Sequence, residues 1–357
     1  MIESLAHSPF IEQLLAQTRD MNERLYALFV HPILGNAENA RHVSRDSFVR
    51  AVTELNERRL RLQLLMPAFP FKDQNPYRTA AAADHVDLGE VALLIRLHTQ
   101  VLAVYQVHPY GADWVIVSDG SAFAPFFYIE EAKADAYARR LRRFRDSLNL
   151  QGTVSILDLK DLTRRLVSAN HGTDVFQSTA GHIEKWLRER VIRDGGAPAE
   201  HFQTLVRGMK WNVNSRSWAD RYGWERFWPV LNEPAPDSVP ADMRSAWTEI
   251  HSLTTDTAFQ YAAFNLALRY HDAFGKLLPT MIRATVHPKK GQLAAPWVGR
   301  EHERPWNGVP LVTTDRSVQE VETTTLLRLA RKHNKLIAFC EDGASGPFYY
   351  SVPDVLT

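Results

Sequence analysis

The chain has 357 residues, of which 45% are apolar and 23% charged, so it can bury the core of one large domain or of two smaller ones. Its net charge of +1 and its pI of about 7.9 show no basic excess, which argues against nucleic acid or an anionic membrane as a partner. Cys340 is the only cysteine and excludes an intramolecular disulfide; with no visible secretory signal or membrane-spanning run, we expect a soluble cytoplasmic protein.

The first 60 residues have a helical pattern, with Phe48, Val52 and Leu55 at helical spacing. Short apolar runs then alternate with helical patterns, and the lack of polar alternation within the runs is typical of strands covered on both faces. The predicted strands are 61–69, 114–118, 153–157, 281–286, 308–313 and 336–340. The predicted helices between and after them are 88–105, 130–147, 161–169, 181–193 and 317–333, the last beginning with a capping-box pattern of Ser317 and Glu320.

This alternation predicts an α/β fold with a mostly parallel sheet flanked by helices. Segment 201–274 differs, because it holds five of the nine tryptophans and a proline-rich loop and is otherwise helical. The predicted organisation is an N-terminal helical segment at 1–60, an α/β core at 61–200 and 275–357, and a helical, tryptophan-rich cap or insertion at 201–274. The tryptophans either fill the core of the cap or wall a pocket for an aromatic substrate.

The loop after the first predicted strand concentrates polar side chains. Pro67 and Pro70 break the apolar run and stiffen the backbone, because proline fixes φ and removes a donor. The loop then presents Lys72, Asp73, Asn75 and Arg78. Two cations beside amide and carboxylate groups suit an anionic ligand such as a phosphate or a carboxylate. The alternative is a solvated connection between a strand and a helix.

The run Ser118-Asp119-Gly120 directly follows the second predicted strand. Ligands in open α/β sheets bind at the carboxyl ends of strands, so we expect Asp119 at the mouth of a site. There it could accept a proton or hold an ammonium group. The alternative is a turn aspartate that hydrogen-bonds the local backbone ahead of Gly120.

Arg283 and His287 are four residues apart on a strand-like run that Pro288 ends. Because side chains alternate along a strand, both are expected on one face. An arginine and a histidine near a strand end can bind an anion and move a proton. The alternative for His287 is a hydrogen-bonded histidine on a buried face.

The arginine-rich stretch 139–145 contains an apolar stripe, which favours an amphipathic helix with a basic solvent face over a nucleic-acid site. Arg145, at the helix end, is a candidate to reach the site. The sequence shows no metal-ligand spacing, no Gly-x-Gly-x-x-Gly, no P-loop and no Gly-x-Ser-x-Gly. We therefore expect no metal or nucleotide cofactor.

Several stretches occur in a characteristic order along the chain. They are Pro67-Ala68-Phe69-Pro70-x-Lys72, Asn75-Pro76, Ser118-Asp119-Gly120, Phe144-Arg145-Asp146-x-Leu148-Asn149, Gln151-Gly152-Thr153-Val154 and Ile282-Arg283-x-x-Val286-His287-Pro288. Taken together, from about Leu62 to about Val312, they resemble the pyoverdine/dityrosine biosynthesis family, which includes the isocyanide (isonitrile) synthases and the fungal spore-wall dityrosine enzyme. The string 72–76, Lys-Asp-Gln-Asn-Pro, is closer to the fungal branch.

The resemblance implies a Rossmann-like enzyme that condenses the α-amine of an amino acid, usually tyrosine or tryptophan, with ribulose 5-phosphate to form an isocyanide. It implies catalytic roles for Lys72, Asp119 and His287, and substrate binding by Asn75, Arg78, Ser118, Arg145 and Arg283, without a metal or redox cofactor. The expected partners are these two small molecules and a downstream oxygenase of the same pathway. Two alternatives remain: an enzyme that forms an N-formyl or N-acyl amino acid, as in the dityrosine branch, and a non-catalytic sugar-phosphate-binding protein.

Overall fold

The computed structural model describes residues 9–32, 34–69, 86, 88–127, 129–169, 174–194, 235–278, 281–285, 288 and 290–296, scattered positions between 202 and 233, and four further strands. The helices, numbered in chain order, are α1 Pro9–Gln17, α2 Met21–Val30, α3 Asn39–His42, α4 Arg45–Glu57, α5 Leu88–Val107, α6 Gly120–Phe123, α7 Glu131–Ser147, α8 Leu159–Ala169, α9 Val175–Asp194, α10 Arg244–Tyr270 and α11 Ala273–Leu277. The strands are β1 Leu62–Pro67, β2 Ala112–Ser118, β3 Val154–Asp158, β4 Met281–Thr285, β5 Leu293–Ala294, β6 Val309–Val312, β7 Val318–Val321, β8 Ile337–Cys340 and β9 Phe348–Ser351.

The first five strands form a single parallel sheet in the order β3-β2-β1-β4-β5. Chain order proceeds from β1 outward to β3 and then restarts on the other side of β1, so the strand order reverses between β1 and β4. In open α/β sheets, ligands bind outside the carboxyl ends of the strands at such a reversal. The predicted α/β fold is confirmed, and the four predicted strands in this sheet match the observed ones to within a few residues.

Alternate residues of the central strands enter two separate cores, one on each face of the sheet. The first core takes Leu64, Met66, Trp114, Ile116, Val154 and Ile156, and packs against α1, α2, α4, α5 and α7. The second core takes Leu65, Val115 and Val117, and packs against α8, α9, α10 and the turn after β2. Both faces are therefore covered, which explains why the strand sequences lack polar alternation.

Helix α5 lies in the first core. By length and composition it could cross a bilayer, contrary to the expectation from the sequence that no apolar run is long enough. Its most apolar 18-residue window is 61% buried inside the protein, and Leu94, Leu97 and Val101 are completely buried. This burial is the pattern of a core helix, and α5 is the one such candidate among the described residues.

The last four strands form a second sheet in the order β7-β6-β9-β8, in which β6 pairs antiparallel with β7 and β8 with β9. The connections within these pairs, 313–317 and 341–347, are short, which suits antiparallel strands. Parallel strands would need a crossover of about a dozen residues or more. The predicted helix 317–333 is wrong at its start, because Val318–Val321 is strand β7. Its β-branched valines pair with β6, and this pairing prevails over the capping-box pattern.

The described part of the predicted cap is helical. Helix α10 runs alongside α9, and Arg188 of α9 joins the two helices through Asp256, at 2.9 Å, and through the ring of Phe259. Trp247 is the tryptophan of segment 201–274 that the described residues include; it stacks on His251 with ring centroids 4.8 Å apart. The division of the chain into an N-terminal segment, a core and a cap stays a prediction.

Candidate functional site

The carboxyl edge of the parallel sheet brings together three chain segments. Register aligns Pro67 at the end of β1 with Val117, and Ser118 at the end of β2 with Asp158 at the end of β3. Ser118 is 1% exposed, and its hydroxyl donates a 2.9 Å hydrogen bond to the carbonyl oxygen of Phe69. The segments that leave β1 and β2 are thus joined directly at the edge where a ligand is expected.

Phe69 has an unusual backbone conformation at this edge. Its φ is 55°, in the left-handed region that residues other than glycine rarely adopt, and its side chain is completely buried. Burial of the ring and the hydrogen bond from Ser118 hold this conformation. Left-handed residues held by their surroundings occur often at functional sites.

Asp119 is a half-buried residue at the start of α6, and one of its carboxyl oxygens is shielded from solvent. It occupies the N-cap position but makes no side-chain capping bond, and Oδ1 is shielded from solvent with no hydrogen-bond partner among the described residues. The pKa of Asp119 is raised to about 7, mainly by burial of the carboxyl group; a backbone hydrogen bond partly offsets this, and the charge of Asp158 adds to the rise. At neutral pH both protonation states are populated, which is the condition for general acid–base work.

Two further carboxylates meet the hydroxyl of Ser121 beside Asp119. The Ser121 Oγ atom is 2.7 Å from Oδ1 of Asp135 on α7 and 3.0 Å from Oδ2 of Asp158. Burial raises the pKa of Asp158, while the backbone N–H of Lys160 and the Ser121 hydroxyl partly offset this. The sequence patterns did not predict a role for Ser121, Asp135 or Asp158. Asp158 nevertheless shows the same signal as Asp119, because it is an acidic residue at the end of a strand.

A polar groove of about 250 Å³ opens between α7 and α8 next to this cluster. It is lined by Glu131, Asp135, Ala138, Arg139, Arg142, Asp158, Lys160, Asp161 and Arg164. Several of its charges already form pairs: Lys160 contacts Glu131, and Arg164 lies 3.3 Å from Asp161. The groove therefore gives Asp135 and Asp158 a route to solvent.

Aromatic rings from α6, the following 3₁₀ turn and α10 pack together beside Asp119. The cluster contains Phe123, Phe126, Phe127, Tyr261 and Phe264, with ring centroids 4.9–5.9 Å apart. Thr257 of α10 donates a 2.8 Å hydrogen bond to the carbonyl oxygen of Phe126 and fixes the helix to the turn. The described cap thus presents phenylalanine and tyrosine, rather than tryptophan, to the turn that carries Asp119.

Arg283 lies on β4 opposite Leu65 of β1 and so faces the second core. Its guanidinium carbon is 5.7 Å from the centre of the Phe274 ring. Burial lowers the pKa of Arg283, and the charge of Arg269 lowers it further. The structure places Arg283 two residues before the carboxyl end of β4, on the face that carries α10 and the aromatic cluster.

Arg145 lies at the opposite end of α7. Helix α7 begins near Ser121, where Asp135 makes its contact, and Arg145 follows ten residues later, roughly 15 Å along the helix axis. Its guanidinium pairs with Asp146 at 2.6 Å, and its carbonyl accepts the backbone N–H of Leu150 just before β3. The structure therefore does not bring Arg145 together with Ser118 and Asp119.

Four of the site residues predicted from the sequence, Lys72, Asn75, Arg78 and His287, lie outside the described residues. In sequence, the first three follow β1 and His287 follows β4, and these two strands are neighbours at the reversal of strand order. Among the residues that the structure describes, no group of three or more His, Cys, Asp or Glu side chains could hold a metal ion.

These features define a Rossmann-like α/β protein with a half-buried, titratable aspartate at the carboxyl edge of its parallel sheet. Residues 52–333 of the 357 match the family described as "Pyoverdine/dityrosine biosynthesis protein". The chain belongs to this family, as the resemblance of its motifs predicted.

Two characterised relatives show local sequence similarity. The chain is 27% identical over 112 residues to spore wall maturation protein DIT1 of Saccharomyces cerevisiae, and 32% identical over 97 residues to isocyanide synthase xanB of Aspergillus fumigatus. The aligned segments cover 31% and 27% of this chain but only 20% and 13% of the two relatives. The similarity supports a distant relation within a biosynthetic family and does not extend over the whole of either protein.

The fold also matches a solved structure along almost its whole length. The crystal structure of the PvcA protein from Pseudomonas aeruginosa superimposes with a TM-score of 0.62, covering 98% of this chain and 99% of that one. Sequence identity in this comparison is 17%, so the match establishes the shared fold alone.

Proposed function

We propose that the protein is an isocyanide synthase, which condenses the α-amine of an aromatic amino acid, tyrosine or tryptophan, with the carbonyl of ribulose 5-phosphate. Membership of the pyoverdine/dityrosine biosynthesis family and similarity to a protein named as an isocyanide synthase support this reaction class. The observation that carries the proposal is Asp119, a half-buried acid with a pKa of about 7 at the carboxyl edge of the sheet.

The chemistry needs a group that both accepts and returns a proton near neutral pH. When the amine attacks the sugar carbonyl, nitrogen loses a proton, and the hydroxyl that leaves as water takes one up. A carboxyl group with a pKa near 7 can serve both steps, whereas an aspartate of ordinary pKa, about 3.9, is a weak acid–base catalyst there. In the proposal Asp119 is this group and His287 shares the proton handling.

Binding of the two substrates is assigned by charge and by apolar surface. Lys72 and Arg78 hold the phosphate, Asn75 contacts the polar groups of the substrates, and Arg283 is assigned to the amino-acid carboxylate, whereas Ser118 positions the loop through Phe69 and Arg145 has no role in the site. The aromatic cluster of α6, the 3₁₀ turn and α10 supports an aromatic amino acid as the substrate. The reduced cytoplasm is the proposed setting, and the product would pass to a downstream oxygenase.

The alternative with specific support is formation of an N-formyl or N-acyl amino acid. Similarity to DIT1, together with a loop string closer to the fungal branch, favours this reaction of the dityrosine type. A non-catalytic sugar-phosphate-binding protein is the third possibility. The three differ in their products: an isocyanide, a formamide or other amide, or none.

The test supplies the purified protein with carbon-labelled ribulose 5-phosphate and with tyrosine, tryptophan and the other amino acids in turn. We expect label in an isocyanide, recognised by its mass, its infrared band in the nitrile region and its reaction with a tetrazine, and the same yield in the presence of a chelator. Label in a formamide would replace the proposal with the first alternative. Sugar-phosphate binding without consumption of any amino acid would replace it with the second.

A further inference from the structure

A second cavity lies between the N-terminal helices and strands β4 and β5, on the face of the sheet that carries the first core. Its volume is about 400 Å³, within the range of small-molecule sites. The lining consists of Ala40, Arg41, His42, Val43, Ser44, Ser47, Phe48, Ala51, Ile282, Lys290, Gly291 and Leu293. We call this cavity the α3–α4 cleft. Strand β4 borders the cleft, and β1 lies between β4 and β2, the strand that Asp119 follows. The cleft is therefore roughly 10 Å from β2.

The floor of the cleft is apolar and belongs to the first core. Val43, Phe48 and Leu293 are at most 7% exposed, and Ile282 packs against the same core. An apolar floor of this kind favours a ligand with an apolar body, because its burial removes hydrocarbon surface from water. Phe48 adds an aromatic ring against which a planar group can pack.

The rim of the cleft is cationic. Arg41 and Lys290 line it, the lining contains no acidic residue, and these two side chains make no hydrogen bond or ion pair with any other described residue. Arg45, on the neighbouring helix α4, is by contrast paired with Glu23 at 2.6 Å. Two cations above an apolar floor, with no acidic partner among the described residues, fit a ligand with an anionic head.

Buried hydrogen bonds hold the walls of the cleft together. The side chain of Asn39, 1% exposed, exchanges hydrogen bonds with the backbone of Ala294, and that of Asn36 donates a 2.7 Å bond to the carbonyl oxygen of Ala295. The backbone N–H of Gly291 donates a 2.7 Å bond to the carbonyl oxygen of His42. Both walls are thus fixed, so little ordering is required when a ligand binds.

We propose that the α3–α4 cleft is a binding site for a small amphipathic carboxylate, with its apolar body on Phe48 and Leu293 and its carboxylate between Arg41 and Lys290. The site is separate from the proposed catalytic edge, and its existence does not depend on the proposed reaction. Binding can therefore be measured without turnover.

The test is calorimetric titration with 3-(4-hydroxyphenyl)propionate, an aryl carboxylate that lacks the amine needed for the proposed reaction. The neutral amide of the same acid is the matched ligand and should bind at least about tenfold more weakly, since it cannot form the charged contacts to Arg41 and Lys290. Arg41→Glu and Lys290→Glu should each weaken carboxylate binding by at least about tenfold. Arg50→Glu, an exposed charge reversal on α4 outside the lining, should leave it within about twofold.

A variant that blocks the cleft sterically tests the proposal independently of the charge reversals. Ala51 lines the cleft and is exposed, so Ala51→Trp can fill the cavity without disturbing the core and should abolish binding. Asp119→Asn should bind the carboxylate as the wild type does, which separates the cleft from the catalytic edge. The proposal is overturned if the wild type shows no saturable binding, or if Ala51→Trp and Lys290→Glu bind normally. A changed sedimentation coefficient in Ala51→Trp with unaltered carboxylate binding would instead assign the cleft to contact with a second copy of the chain.

Discussion

The hydroxyl of Ser118, at the end of β2, donates a 2.9 Å hydrogen bond to the carbonyl oxygen of Phe69, just after β1. This bond joins the two chain segments that the sequence marks as chemically active: one continues to Asp119, the other into the loop that carries Lys72. It also holds Phe69 in its left-handed conformation. The backbone N–H of Ala68 also donates a 3.1 Å hydrogen bond to the carbonyl oxygen of Val117, so the Ser118 hydroxyl extends the pairing of the two segments past the end of β1.

Removal of this hydroxyl should reduce stability and disturb the loop. We expect Ser118→Ala to lower the free energy of unfolding by about 1–3 kcal/mol, because a buried hydrogen bond is lost, and to weaken sugar-phosphate binding as well. Denaturant titration and calorimetry measure the two effects. Ser155→Ala is the control, since Ser155 makes a longer 3.3 Å bond to the carbonyl oxygen of Trp114, away from the edge. Equal effects of both variants on ligand affinity would contradict a local role for Ser118.

Asp119 should be required for turnover but not for folding. We expect Asp119→Asn to reduce kcat by about 10²–10⁴-fold, the usual contribution of a positioned acid–base group, while the far-ultraviolet circular dichroism stays unchanged. Asp113→Asn is the matched control: burial raises the pKa of Asp113 too, but Asp113 lies at the other end of β2, 3.7 Å from Arg61. If Asp119→Asn retains wild-type turnover, Asp119 is a structural turn residue.

The raised pKa of Asp119 also predicts how stability depends on pH. Between about pH 4 and pH 7 the unfolded chain releases a proton that the folded protein keeps, so the contribution of Asp119 to stability falls as the pH rises through this window. The rise of the pKa to about 7 corresponds to a destabilisation of the folded state by at most roughly 4 kcal/mol. This destabilisation is absent below about pH 4 and complete above about pH 7. Asp119→Asn should therefore be more stable than the wild type at pH 8, with a difference that vanishes near pH 4. A difference independent of pH in denaturant titrations would show that Asp119 is not the titrating group.

Lys72 tests the part of the site that lies outside the described residues. We expect Lys72→Ala to weaken binding of ribulose 5-phosphate at least several-fold, because a charged contact to phosphate contributes roughly 1.5–3 kcal/mol. Lys133→Ala is the control, since Lys133 lies on the surface of α7 and pairs with Glu130 at 3.2 Å. If calorimetry shows unchanged sugar-phosphate affinity in Lys72→Ala, the loop that carries Lys72 does not bind the phosphate.

The sequence predicted the elements of the fold because their patterns are local. The apolar runs of β1 to β4 and the long periodic helices α5, α7 and α10 were recognisable from residues close together in the chain. The position of Asp119 at a strand end followed in the same way, from an apolar run that stops at Ser118. Strand β7 was mispredicted because its conformation depends on pairing with β6, which is not a local property.

The chemistry of the site was decided by the tertiary structure. The sequence shows an aspartate after a strand, but only the folded structure shields one of its carboxyl oxygens from solvent and raises its pKa to about 7. Likewise, only the parallel register of β2 and β3 brings Asp158 to Ser121, and only the direction of α7 places Asp135 there and Arg145 at the far end. A residue's type is fixed by the sequence, whereas its burial and its charged neighbours arise from contacts between distant segments, and these set its pKa.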